Sequence, residues 1–267
     1  MKNKKKIMIT SVLITILAII TLAIYFNGKN QKSYIILDSN KVIEYQNGRF
    51  DYVKNENYQK SFYRVFNQNT YLGNYKIHSI DFETNDFYFS NDNSKDMFIF
   101  EEPLMGISTN IDFIEFENLE FTDSDFTKFI ELSNYNNVHK KEDLYDTSKV
   151  KLDFDNDGKE EYFYTVTYEH IEDDTLEISN KNYSIMYYVD DDNNIKILSE
   201  FNPYYEGDSI IFPNYIIRSI IDVNDDKKYE LVVINRMYDK PEYEIYELKN
   251  NEYEMVFATD IGGVYEK

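Results

Sequence analysis

Residues 150–166 read VKLDFDNDGKEEYFYTV, and residues 219–235 read SIIDVNDDKKYELVVIN. Each stretch leaves an apolar run, turns through a cluster of acids, and enters a second apolar run, the pattern of two strands joined by a short loop. Leu152, Asp153, Phe154, Asp157, Lys159, Glu161 and Tyr162 align at a constant offset of 69 with Ile221, Asp222, Val223, Asp226, Lys228, Glu230 and Leu231. Strands are expected near 150–154, 161–168, 183–189 and 195–201, then near 216–223, 230–235, 243–248 and 252–259. The two sets therefore match as units of about four strands, the size of a propeller blade.

Within each loop, oxygen-bearing side chains fall at positions 1, 3, 5 and 9. Alternate residues of a tight loop point to one centre, and calcium takes six to eight oxygens at roughly 2.3–2.6 Å. The first loop offers Asp153, Asp155 and Asp157, the Lys159 carbonyl and the Glu161 carboxylate, with Gly158 at the sharp bend. The second offers Asp222, Asn224, Asp226, the Lys228 carbonyl and Glu230. It carries one charge fewer at Asn224, and Lys227 stands where a bend prefers glycine, so it should bind more weakly. Neither loop is an EF-hand, because position 12 is Tyr164 or Val233 rather than a bidentate Glu, and strands flank both.

The string DFDNDGKEEYFYTV resembles the aspartate-rich loops of the FG-GAP and VCBS repeat families, found in integrin-alpha-type β-propellers and bacterial surface proteins. The likeness covers residues 149–259 and lies in the loops; the Phe-Gly…Gly-Ala-Pro string is absent. The resemblance implies that calcium braces the hairpin and performs no catalysis.

The start of the chain sets its expected location. From Ile7 to Phe26, 20 residues carry no charge, enough at 1.5 Å per residue to cross a hydrocarbon layer of ~30 Å. Lys2, Lys4, Lys5 and Lys6 precede the run and should hold residues 1–6 in the cytoplasm. The expected protein is a single-pass membrane protein with the bulk of the chain extracytoplasmic, or a secreted one if the segment is cleaved. Past residue 26 the chain holds 24 basic against 49 acidic residues, a net of −25. Such a surface excludes nucleic acid as a partner and favours divalent cations or basic partners. With no cysteine, an exported domain has no disulfide to staple it, which leaves its core and bound metal.

A polar tether at 27–32 should lead to an α+β part over 33–148 and then the β-repeat domain over 149–267, divided within the polar stretch 135–148. In the first part, SYIILDSNKVIEYQNGRFDYV (residues 33–53) reads as hairpins turning at 38–40 and 47–48. Tyr58, Phe62, Val65 and Phe66 fall at i, i+4, i+7 and i+8 and predict a helix over 57–67. Strands are expected around 75–80, 87–89, 97–100 and 111–116, and Thr122 should cap a second helix, with Asp125 three residues on.

No catalytic motif occurs. G-x-S-x-G, H-E-x-x-H and the P-loop string are absent, His78, His139 and His170 lack zinc spacing, and Glu101-Glu102 should point to opposite faces of a strand. Tyr187-Tyr188 and Tyr204-Tyr205 read as sheet packing ahead of sugar stacking. The expectation is a calcium-binding interaction module, not an enzyme, whose partner is a protein or surface polymer. The alternative is an exported hydrolase acting on cell-wall glycan or peptide.

Overall fold

The computed structural model describes residues 32–37, 41–53, 58–59, 61–67, 70–80, 87–91, 97–98, 104–133, 138–169, 182–201, 214–236, 241–250 and 252–259. The chain is mainly β, with one α-helix among the described residues. Among those residues no helix is long and apolar enough to cross a membrane; the run Ile7–Phe26 lies outside them.

Three antiparallel sheets account for the strands among the described residues. The first has eight: β1 (Ser33–Leu37), β2 (Lys41–Gln46), β3 (Arg49–Tyr52), β4 (Phe62–Asn67), β5 (Thr70–Ile80), β6 (Phe87–Asn91), β7 (Met97–Phe98) and β8 (Leu104–Ser108), ordered β3-β2-β1-β8-β4-β5-β6-β7. β9 (Asp112–Ile114) leaves this sheet and pairs with β14 of another. The second sheet is the meander β10 (Asp146–Leu152), β11 (Glu161–Tyr168), β12 (Tyr183–Val189) and β13 (Ile195–Phe201). The third is the meander β14 (Asn214–Asp222), β15 (Glu230–Arg236), β16 (Pro241–Lys249) and β17 (Glu252–Ala258), with β9 added outside β14.

Packing of the sheets follows from which faces are apolar. Val232 and Ile234 of β15 point into a core shared with Ile35, Ile43 and Ile107 of the first sheet. Their neighbours Leu231 and Val233 point the other way, into a core shared with Val150, Phe163 and Met186 of the second. The third sheet thus lies between the other two and is apolar on both faces, which is why ELVVINR reads as a near-continuous apolar run. Burying each such side chain contributes about 1.5–3 kcal/mol. Residues from both sides of position 148 share the first of these cores, and β9 carries a strand of the earlier part into the later sheet.

The helix α1 (Asp123–Ser133) covers the outer face of the second sheet, where Phe129 meets Tyr183 with ring centroids 6.0 Å apart. Its start is a reciprocal cap. The Asp125 amide donates to Thr122 Oγ1 at 3.3 Å, and the Thr122 amide donates to Asp125 Oδ2 at 2.8 Å, satisfying N–H groups that no helical carbonyl can reach.

One expected element is overturned. Residues 62–67 form the strand β4, not a helix. Tyr63 and Val65 enter one core while Phe66 enters the opposite one, a period of two that aromatic and β-branched residues favour. Tyr63 decides it: a helix with Tyr58, Phe62, Val65 and Phe66 inward would have left aside a ring that is fully buried here. The turn at 47–48 behaves as expected, with φ of 56° at Asn47 and 78° at Gly48, as a two-residue hairpin requires.

Candidate metal centre

Each acidic loop bridges the first two strands of a meander: 153–160 joins β10 to β11, and 223–229 joins β14 to β15. Their hydrogen bonds correspond position for position. At position 1, Asp153 accepts from the amides of Asp157 (3.0 Å) and Gly158 (2.9 Å), as Asp222 accepts from Asp226 (3.2 Å) and Lys227 (3.1 Å). At position 3, Asp155 accepts from the Asp157 amide at 3.1 Å, and Asn224 from the Asp226 amide at 3.0 Å. At position 5, Asp157 accepts from the Lys159 amide at 2.9 Å, and Asp226 from the Lys228 amide at 2.8 Å. At position 9, the buried Glu161 accepts from the Phe154 amide at 2.8 Å, and the buried Glu230 from the Val223 amide at 2.9 Å.

The backbone agrees. Positions 4 and 6 are left-handed in both loops, at Asn156 (58°) and Gly158 (91°) and at Asp225 (58°) and Lys227 (67°). Asn and Asp tolerate this region, and Gly prefers it; a lysine there is unusual. The side-chain oxygens of positions 1, 3 and 5 therefore turn inward because each accepts an amide from the chain wrapping around it.

The loops differ in what surrounds the inward oxygens. In the first, one oxygen from each of Asp153, Asp155, Asp157 and Glu161 lies within 4.8 Å of the others. Four carboxylates this close suit a hard cation with oxygen ligands. Burial pushes the Glu161 carboxyl up to about 7, and the charges of Asp155, Asp153 and Asp157 add to the rise against the Phe154 amide. In the second loop the group that comes within the same span is Asp112, Asp222 and Asp225. Burial likewise raises the Asp222 carboxyl and puts that of Glu230 well above its ordinary value.

Of the residues expected as ligands, the fold thus gathers all four carboxylates of the first loop. Asp222, Asn224, Asp226 and Glu230 keep equivalent places in the hydrogen-bond frame. Lys159 and Lys228 are exposed, with their amides spent on Asp157 and Asp226. Asp225 and Asp112 were not foreseen as members of the group. Asp225 sits at a non-ligand position of the template. Asp112 arrives from β9, opposite Asp222 in the register, and only knowledge of that pairing could have found it.

The two loops are neighbours. The Tyr229 amide donates to the Phe154 carbonyl at 3.2 Å, and the Tyr253 hydroxyl donates to the Tyr229 carbonyl at 3.0 Å. The Tyr253 ring stands edge-on to Phe163 at 4.8 Å and to Tyr188 at 5.4 Å. Tyr187 and Tyr188 are accordingly core residues; Tyr204, Tyr205, Glu101, Glu102 and His170 lie outside the described residues. Comparison with models of known protein families, with curated proteins and with solved structures found no match in any of the three.

Proposed function

We propose that this chain is a membrane-anchored, extracytoplasmic calcium-binding β-repeat protein that serves as an interaction module, with calcium in a structural role. The observation that carries the reading is the four-carboxylate group of Asp153, Asp155, Asp157 and Glu161, held by a frame that recurs at the second loop. The meanders β10–β13 and β14–β17 are read as two blade-like units, each opening on an acidic loop, in keeping with the FG-GAP and VCBS resemblance. Calcium would cross-link position 1, where one strand ends, to position 9, where the next begins, and so brace the hairpin of the first unit. The second loop, with Asn224 in place of a carboxylate, has the weaker claim on an ion.

The proposed location agrees with the same assignment. External modules bind calcium at about 10⁻⁴–10⁻³ M, so millimolar calcium outside a cell would fill such loops and cytosolic levels would not. The uncharged run Ile7–Phe26 would anchor the chain, with the acidic remainder outside to meet a protein or surface polymer. Asp155→Asn is the informative test, because Asn224 makes the same amide contact in the second loop and the variant should fold unchanged. In the full-length chain in detergent, it should melt as wild type in chelator and lose much of the gain in Tm that millimolar calcium gives. Equal melting of both proteins in both conditions would end the proposal.

A further inference from the structure

Resting on the reading of the first loop as a calcium site, we infer that Lys227 is the resident cation of the second loop, so that the chain takes up one divalent ion and the second loop holds its shape without one. The Lys227 ammonium lies 2.6 Å from Asp225 Oδ1, 3.6 Å from Asp112 Oδ2 and 3.7 Å from Asp222 Oδ2. These are the three carboxylates that the fold gathers at this loop. The ammonium therefore sits at the acid group itself, against the one carboxylate, Asp222, whose side chain is wholly buried.

Three features separate this arrangement from its counterpart. Position 6 of the first loop is Gly158, which has no side chain to place there, and Lys159 one residue on pairs with Asp191 and reaches one carboxylate of the group, Asp157, at 3.8 Å. Position 3 carries a charge in the first loop and none in the second, so the second frame has lost a ligand charge while gaining a tethered one. Asp112 has been brought across from β9 by the Asp222↔Asp112 pairing, which adds an acid around the ammonium from outside the loop. Lys227 also adopts a left-handed backbone that disfavours any residue with a β-carbon. A glycine would relieve that conformation, and only a lysine or arginine would supply the charge.

Tethering keeps the half-exposed ammonium beside these acids whatever the solution holds. An ammonium fixed to the loop acts at the effective concentration of an intramolecular partner, millimolar or above for a short link. Free calcium binds modules of this kind at about 10⁻⁴–10⁻³ M and would have to displace it. Lys227 thereby sets both the stoichiometry and which of two equivalent frames responds to calcium.

The test is calcium uptake by the full-length chain in detergent, by equilibrium dialysis at several millimolar and by calorimetry, for wild type, Lys227→Gly and Lys227→Gln. Wild type should bind about one ion, lost in Asp157→Ala, and Lys227→Gly about two. Two ions in wild type, or one ion that survives Asp157→Ala and disappears in Asp226→Ala, would overturn the inference and leave calcium binding standing. One ion in a folded Lys227→Gly would overturn it also. Uptake by Lys227→Gly alone would keep the role of Lys227 and remove the first-loop reading. If both variants unfold in chelator, refolding by calcium supports the exchange of one cation for another, and failure to refold overturns it.

Discussion

Asp125 of α1 and Glu161 of β11 are both buried carboxylates, and they are perturbed in opposite directions. Burial alone would raise Asp125, but the Lys149 ammonium at 2.9 and 3.0 Å, the hydroxyl and amide of Thr122, and the Tyr164 hydroxyl outweigh it and hold the carboxyl below its ordinary value. Glu161 has one amide donor and three acidic neighbours, and it is raised to about 7. The difference is the presence of a cation inside the fold. Where the chain supplies its own among several donors, as at Asp125, the acid needs nothing from solution; burial keeps the Asp222 carboxyl above its ordinary value even with Lys227 beside it. At the first loop Lys159 pairs with Asp191 and comes to 3.8 Å from Asp157, so that Asp153, Asp155 and Glu161 remain for an outside ion.

The largest effect should come from taking the internal cation away. Lys149→Met leaves Asp125 buried with only neutral donors, and losing one partner of a buried pair costs about 3 kcal/mol, to be read by urea unfolding near pH 7. The pH dependence gives the sign. A carboxyl held below its unfolded value contributes stability that is complete above about pH 4 and is lost as pH falls through the lower folded value. Wild type should therefore keep this contribution down to about pH 4. Lys149→Met should lose stability at neutral pH and recover part of it relative to wild type on acidification, and a uniform offset at every pH would remove the pairing from the account.

Next in size is Glu230→Ala, at about 2 kcal/mol, because the Val223 amide would lose its partner inside the core. Glu230→Gln should cost far less, since an amide oxygen can still accept and the native carboxyl is already held toward its neutral form. If calcium is confined to the first loop, Glu161→Gln should abolish the calcium-dependent gain in Tm while Glu230→Gln leaves it intact. Equal losses from the two would break the contrast between the loops.

Much of this was open to sequence reasoning because it is local. The strands β11, β12 and β13 fall where their apolar runs between turns place them, and the Thr122 cap and Asn47-Gly48 turn follow from residue types within a few positions. The four carboxylates that the first loop gathers also lie within nine residues of one another. What sequence withheld was non-local. β4 satisfied helical and strand periods alike, and burial of Tyr63 on the face of the first sheet opposite Phe66 chose the strand. Asp112 reached the second loop through a pairing of β9 with β14 that no local pattern marks, and the ammonium at Asp222 matters only once that third carboxylate is in place.

The smallest predicted effect concerns position 6, where the loops differ by one side chain. Gly158 has φ of 91°, and a β-carbon there would meet nothing within 4 Å. The cost of Gly158→Ala is therefore conformational only, about 1 kcal/mol, visible as a small drop in Tm in chelator. Calcium should narrow the gap little, because the ligand side chains stay in place and the new methyl group is neutral. Gly158→Lys carries the same backbone cost and adds an ammonium where Lys227 has one. Its calcium-dependent gain in Tm should fall well below that of Gly158→Ala, and identical behaviour of the two variants would show that charge at this position does not govern the loop.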